Sequence, residues 1–305
     1  MPHMQLGDVQ IHYDVVGDGP PLVMTTGLGT GPQSRQEMIA QLAREYSVVT
    51  YHQRGTGKSS PGPQGQAIEA LADDIVALMD HLKFERVRLI GLSTGTGKVT
   101  VVAARHPGRV EKLVLAAPWT HGDDLLDLIQ HVRMAAADGM PAELYAQFNA
   151  VLLYPPRYRR EHASRFAAAA ADAAGIKTDA AGLRARLEAI LRFDARPLYP
   201  LISSSTLVMA ARDDLVMPAW FAQSAAASIS DARLIVLGRR RAYVPGNPHR
   251  GIPFAGAALF AAGLSQDAHA KTKRPKPKFG PFLNLERETS LELATSTLAR
   301  LRSTN

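Results

Sequence analysis

The stretch from Val87 to Gly97, V-R-L-I-G-L-S-T-G-T-G, constrains this chain more than any other. Val87, Leu89 and Ile90 form the short apolar run that a buried parallel strand needs. Gly91-Leu92-Ser93-Thr94-Gly95 follows at once, in the pattern G-x-S-x-G. Lys98 to Arg105 then reads as a helix, closed by His106-Pro107-Gly108. A serine on a tight strand-to-helix turn needs a strained backbone, with small residues two before and two after it where the turn closes on itself. The helix start beneath it offers a free backbone N–H and a positive dipole end to a developing oxyanion. Ser93 is therefore the candidate nucleophile. A glycine-rich turn with an incidental serine is the bland alternative, and the placement between strand and helix argues against it.

The chain on either side repeats a strand–helix rhythm. Val9 to Val15 alternates apolar and polar residues, as an early antiparallel strand would. Leu22 to Thr25 is a short buried strand that runs into Thr26-Gly27-Leu28-Gly29-Thr30-Gly31. Pro32 to Arg44 reads as a helix and Ser47 to Tyr51 as a strand. Ala67 to Leu82 is an amphipathic helix, with Ile68, Leu71, Ile75, Leu78, Met79 and Leu82 on one face. Val110 to Ala116 is the strand after the elbow helix. This alternation predicts a mostly parallel sheet with helices on both faces. The rhythm breaks from Pro118 to about Pro200, where four helices are expected: Asp124–Ala137, Ala142–Leu153, Tyr158–Ala174 and Ala180–Phe193. A run of helices between strands reads as a lid. The sheet resumes at Thr206 to Ala210, followed by Asp213 and Asp214, a helix from Trp220 to Ser228 and a strand from Ala232 to Leu237. A carboxylate just past a strand, at the same sheet end as the elbow, is placed to orient an imidazole. Chemistry alone leaves Asp213 and Asp214 as alternatives.

Other classes fare worse. The phosphate-loop pattern G-x-x-x-x-G-K-[ST] fails at Gly57-Lys58, where His52 stands in place of the first glycine. It fails again at Gly97-Lys98, which Val99 follows. No apolar run approaches the ~20 residues of a membrane span. The N-terminus lacks a basic region followed by an apolar one, so no secretory signal is expected. The absence of cysteine removes disulfides, thiolate metal sites and a cysteine nucleophile, and is compatible with the cytoplasm, the expected location. The net charge of +7 would suit a nucleic-acid partner, but the charge is localised. From Arg239 onward there are 12 Lys and Arg against 4 Asp and Glu, a balance of +8, so the rest of the chain carries −1. A solvated basic tail is expected, not a nucleic-acid-binding body.

Several motifs in order make the region from residue 9 to about 237 resemble the α/β-hydrolase family. They are Gly27-Leu28-Gly29, Tyr51-His52-Gln53-Arg54-Gly55-Thr56-Gly57, Gly91 to Gly95, His106-Pro107-Gly108-Arg109-Val110, and Asp214 to Pro218. The resemblance implies an α/β-hydrolase fold: a mostly parallel sheet with helices on both faces and an inserted helical lid. It implies Ser93 as nucleophile, Asp214 as acid and the backbone N–H groups of Leu28 and Thr94 as oxyanion hole. Within the family, Leu152-Leu153-Tyr154-Pro155, Leu187 to Asp194 and Arg212 to Pro218 are similar to the aminoacrylate/carbamate hydrolases of pyrimidine breakdown. The 3-oxoadipate enol-lactonases are close relatives. No cofactor or metal is implied, and the partner is a small-molecule substrate. The expected layout is a first core part at 1–118, a lid at 119–200, a second core part at 201–264 that turns atypical from about 239, and a basic tail at 265–305.

One part of the family pattern is missing. After the last strand the family carries a glycine turn ending in histidine, whereas this chain reads Leu237-Gly238-Arg239-Arg240-Arg241-Ala242-Tyr243, with Ala242 at the expected place. Without an imidazole nothing takes the serine proton, and several powers of ten in rate are lost. His249 lies seven residues on and is the fallback base, against a displacement that triad geometry tolerates poorly. The codons for Arg239 to Phe254, read from their second base with suitable third bases, allow the string G-G-G-H-M-F-P-V-T-P-T-E-A-F. This restores the glycine turn and a histidine at the place of Ala242. The segment from about 239 is therefore expected to be a frameshifted reading of a hydrolase ending. As written, the chain is expected to be an impaired serine hydrolase of a small ester, lactone, carbamate or enamine acid. The alternative is a binding protein of the same fold without turnover.

Overall fold

The computed structural model describes residues 2–28, 35–60, 67–175 and 179–237. Among them, eight strands form one sheet: β1 (His3–Leu6), β2 (Val9–Val16), β3 (Pro21–Thr25), β4 (Ser47–Tyr51), β5 (Val87–Leu92), β6 (Val110–Ala116), β7 (Ser205–Ala211) and β8 (Ala232–Leu237). Their order is β1-β2-β4-β3-β5-β6-β7-β8. β1 and β2 pair antiparallel, β2 joins β4 antiparallel, and every later pairing is parallel. The α/β architecture expected from the alternating rhythm is the one observed. β1 carries no signal in the sequence, because four residues are too few to show a period.

The central parallel strands are short and apolar because they are covered on both faces. The two-residue period sends alternate side chains to opposite sides. Val23, Val49 and Leu89 join one apolar cluster, whereas Leu22, Met24, Val48 and Ile90 join another. On the second face lies α1 (Gln36–Leu42), with Met38, Ile39 and Leu42 buried. On the first lie α2 (Ile68–His81) and α3 (Gly95–Arg105). α2 buries Ile68, Leu71, Ala72, Ile75, Leu78 and Met79, the stripe its periodicity predicts. α3 is buried at every position from Gly95 to Ala104. It begins three residues earlier than the sequence alone predicts, since the glycines that suggest a turn already lie in its first turn.

Between β6 and β7 the chain leaves the sheet for α4 (Asp124–Gly139), α5 (Ala142–Leu153), α6 (Pro156–Glu161), α7 (Ala163–Ala173) and α8 (Ala180–Arg192). The single helix expected over Tyr158–Ala174 is thus two, broken at His162 (φ −121°, ψ 30°). The His162 ring stacks on Tyr158 at 4.0 Å between centroids, and its backbone N–H still bonds the Tyr158 carbonyl at 3.0 Å. Asp123 caps α4 through the Leu126 N–H and Asp179 caps α8 through the Gly182 N–H, which accounts for both helix starts. Trp119 ties this insertion to the sheet layer. It is fully buried, packs on Phe193 at 5.4 Å and donates its indole N–H to the Ile190 carbonyl at 3.2 Å. α9 (Ala219–Ser228) then joins β7 to β8. Among the described residues no helix is long and apolar enough to cross a membrane.

Candidate active site

The strand order itself locates a crevice. From β3 the chain moves outward to β4, and from β5 it moves the other way to β6, although β3 and β5 are neighbours. Their crossovers therefore diverge, which opens a cleft beyond the carboxyl ends of these two strands. Thr25 pairs with Gly91 in the last register of β3 and β5. Gly27 and Ser93 each lie two residues further, so the loop after β3 and the turn after β5 meet at the cleft.

Ser93 occupies the left-handed region at φ +52°, where a side chain is strained by roughly 1–2 kcal/mol. The turn is held by several hydrogen bonds. The Ser93 N–H donates to the Ala116 carbonyl at 2.8 Å, and the Thr96 N–H and hydroxyl donate to the Ser93 carbonyl at 2.8 and 2.6 Å. The glycines are required by space. A Cβ on Gly91 would sit 2.6 Å from Val99 Cγ2 and 2.7 Å from Thr96 Cα, and one on Gly95 would sit 2.6 Å from the Thr25 carbonyl oxygen. Gly27 faces the serine directly, since its Cβ would lie 3.1 Å from Ser93 Cβ and 3.5 Å from Oγ. Because the Gly95 obstruction comes from the Thr25 backbone, no rotamer relieves it. Gly95→Ala is expected to lower the unfolding free energy by roughly 1–3 kcal/mol, read from urea melts; an unchanged midpoint would contradict this packing.

Asp214 stands three residues past β7 and is half-buried, whereas Asp213 is exposed. Asp214 Oδ1 accepts from the Val216 and Met217 N–H groups, both at 2.9 Å. One carboxylate oxygen is therefore anchored to backbone and the other is left to face a further donor. β6 separates β5 from β7, so the two strands that lead into Ser93 and Asp214 lie about 10 Å apart. A bond from the Ala117 N–H to the Met209 carbonyl, 2.8 Å, fixes the ends of β6 and β7 together. Thr94 is the N-cap of α3 and lies at the start that leaves backbone N–H groups without intrahelical partners. Leu28 is half-buried and packs against the main apolar cluster. Ala242 and His249 lie outside the described residues, as does the tail.

Beneath the elbow lies a polar group that the sequence does not announce. Lys98, on α3, is only 4% exposed. Its ammonium donates to Gln53 Oε1 at 3.2 Å and lies over the Tyr51 ring, 5.7 Å from the centroid. Burial drives its pKa down to about 8, against the opposing attraction of Asp74. Asp74 itself is buried and held by Arg54, whose Nε donates at 2.8 Å to Oδ2. The one hint in the sequence is a lysine in an otherwise small and apolar helix. The glycines after β4 also prove structural. Gly57, at φ +55°, lets the loop fold over His52, whose Nδ1 would lie 1.9 Å from a Cβ there. The Lys58 N–H donates to that nitrogen at 2.8 Å.

A parallel sheet reversing direction at β3, with a strained serine at the reversal and an anchored carboxylate two strands away, is the layout of an α/β hydrolase. The α/β-hydrolase-fold family matches residues 20–239, and the chain belongs to this family. Among its relatives, the protein named RutD carbamate hydrolase from Variovorax paradoxus is 32% identical over 228 residues, covering 73% of this chain and 86% of that one. The protein of the same name from Azorhizobium caulinodans is 28% identical over 234 residues, covering 77% and 88%. The enol-lactonase from Burkholderia xenovorans superimposes with a TM-score of 0.73 at 25% identity, over 87% of this chain and all of that one.

Proposed function

We propose that this chain is a serine hydrolase by descent, built for a small ester, lactone, carbamate or aminoacrylate-like substrate, and impaired because the family histidine is missing. The observation that carries the reading is Ser93 at φ +52° on the divergent edge between β3 and β5. In this scheme Ser93 Oγ attacks the substrate carbonyl. The Leu28 and Thr94 N–H groups receive the oxyanion, aided by the positive end of α3. Asp214, anchored through Oδ1, orients an imidazole with its other oxygen, and water then releases the acyl group. The helices α4 to α8 form the lid over this edge, between the two core parts at 1–118 and from 201 onward.

Ala242 at the family's histidine position favours a second reading, a protein that binds ligand without consuming it. Three proteins separate the two: this chain, Ser93→Ala and His249→Ala, each assayed for p-nitrophenyl acetate turnover and for labelling by a fluorophosphonate. The expected result is slow labelling that Ser93→Ala abolishes, with turnover near the uncatalysed background. Turnover lost in both variants makes His249 the working base. No labelling, or labelling that survives in Ser93→Ala, sinks the hydrolase reading for this chain.

A further inference from the structure

Lys98 puts a positive charge where packing alone calls for none. Its neighbours on α3 from Gly95 to Ala104 are all buried, and no other one is charged. Holding an ammonium there costs stability, which points to a role besides packing. Asp74 of α2 is the carboxylate that attracts it, but Asp74 is already engaged by Arg54, whose Nε donates to Oδ2 at 2.8 Å. The two direct partners of the ammonium are neutral. Gln53 Oε1 accepts from it at 3.2 Å, and the Tyr51 ring centroid lies 5.7 Å away, within range of a cation–π contact. Burial raises the Tyr51 phenol well above its ordinary pKa, against the opposing hydrogen bond with Thr25, so the ring stays neutral.

These partners tie α3 to the strand ends that lead into the cleft. Helical side chains lean toward the helix N-terminus, so Lys98 reaches back toward the elbow. Tyr51 closes β4 and Gln53 lies two residues past it, at the sheet end that carries Ser93. The Gln53 carbonyl accepts from the Thr56 N–H at 3.0 Å and from the Thr56 hydroxyl at 2.6 Å, which fixes its turn. The Tyr51 and Thr25 hydroxyls share a hydrogen bond of 3.3 Å. Thr25 ends β3, and its carbonyl oxygen lies 2.6 Å from where a Gly95 Cβ would stand. The end of β3 is therefore held on one side by Tyr51 and on the other by the first turn of α3. Two residues on, Gly27 backs onto Ser93, and Leu28 follows.

We propose that Lys98 is a positioning residue: its ammonium clamps Tyr51 and Gln53 to α3 and, through Thr25, holds the Leu28 N–H against the elbow. The proposal rests on the hydrolase reading above only for the use made of that N–H. A methionine at this position fills similar space without the cation or the donor. The charged groups around the ammonium are Asp74 of α2 and Arg54 of the loop after β4. Arg54 keeps its proton because its hydrogen bond to Asp74 raises its pKa, so Lys98 is the member of this set that changes charge between pH 7 and 9.5.

The test is amide hydrogen exchange of the full chain, read by NMR at Thr26, Gly27 and Leu28. At pH 7, Lys98→Met is expected to exchange roughly 10-fold faster there, although it melts no lower than its parent. Tyr51→Phe keeps the ring but removes the hydroxyl link to Thr25, and the same effect is expected. The double variant is expected to match either single one, because both substitutions break one chain of contacts. Unchanged exchange in Lys98→Met, or effects of the two substitutions that multiply, overturns the proposal. Fluorophosphonate labelling adds a pH profile that a packing role would not move. The parent is expected to label roughly 10-fold faster than Lys98→Met at pH 7, and at nearly the same rate at pH 9.5, where Lys98 has lost its charge. A ratio that stays constant with pH also overturns the proposal. Labelling that is absent, or that survives in Ser93→Ala, sinks the hydrolase reading alone, and the exchange result still decides the clamp.

Discussion

A chain translated from codon 239 one base further along the same message is expected to hydrolyse p-nitrophenyl acetate roughly 10⁴- to 10⁶-fold faster than the present chain. The string G-G-G-H-M-F-P-V-T-P-T-E-A-F, which the codons of Arg239 to Phe254 allow, motivates this hypothesis. Two other residues of the proposed chemistry have a defined setting in the described structure. Ser93 is strained onto the cleft, and Asp214 is pinned by two backbone N–H groups at 2.9 Å. What the present reading lacks is the imidazole that takes the serine proton and returns it to the leaving group. The rate factor is the loss that follows removal of a histidine from such a triad, taken in reverse. The gained activity must vanish with Ser93→Ala, which excludes hydrolysis by exposed amines. Coding DNA with no frame near codon 238 that yields this ending would refute the idea before any assay. A restored chain with unchanged turnover would refute the site itself.

Lys98→Met is expected to raise stability at pH 7 by about 2 kcal/mol. Folding moves the Lys98 pKa from 10.5 to about 8, with burial the first cause. Each pH unit between those two values corresponds to about 1.4 kcal/mol, so holding the ammonium inside the fold costs about 3 kcal/mol near neutrality. Loss of the Gln53 hydrogen bond offsets about 1 kcal/mol of the gain. Between pH 8 and 10.5 the unfolded chain keeps the proton that the folded chain has released. Stability therefore rises with pH across this window, and the full penalty applies below it. The methionine variant lacks that rise, so the difference between the two proteins shrinks from pH 7 to pH 10. At pH 7 a gain of this size corresponds to a melting temperature about 4–8 °C higher. A variant that melts lower at pH 7, or a difference that does not change with pH, would show that the ammonium is solvated.

The elbow was legible because its physics is local. A strand, a serine between two glycines and a helix occupy eleven consecutive residues from Val87 to Gly97, and each constraint acts over one turn of chain. The sheet was legible for a related reason, since the alternation of apolar runs with amphipathic stripes such as Ile68 to Met79 records burial residue by residue. The choice of Asp214 over Asp213 came only from the family pattern. Its turn resembles any solvated acidic turn until the two N–H bonds and the neighbouring ends of β6 and β7 are known.

The alternation of strands and helices from β2 onward through the core, the apolar strands and the serine elbow are thus properties of the sequence read alone. They depend on neighbours along the chain. Three things were decided by the tertiary structure. The first is the reversal at β3 that brings the Gly27 backbone against the Ser93 side chain, leaving only 3.1 Å between Ser93 Cβ and the place a Gly27 Cβ would take. The second is the burial of Lys98, and the third is the meeting of its ammonium with Tyr51 and Gln53 at the end of β4. Each of these joins residues that lie far apart in the chain or that a helical wheel alone would place in water. Charge burial depends on what packs against a side chain from other elements, and no pattern within one element carries that information.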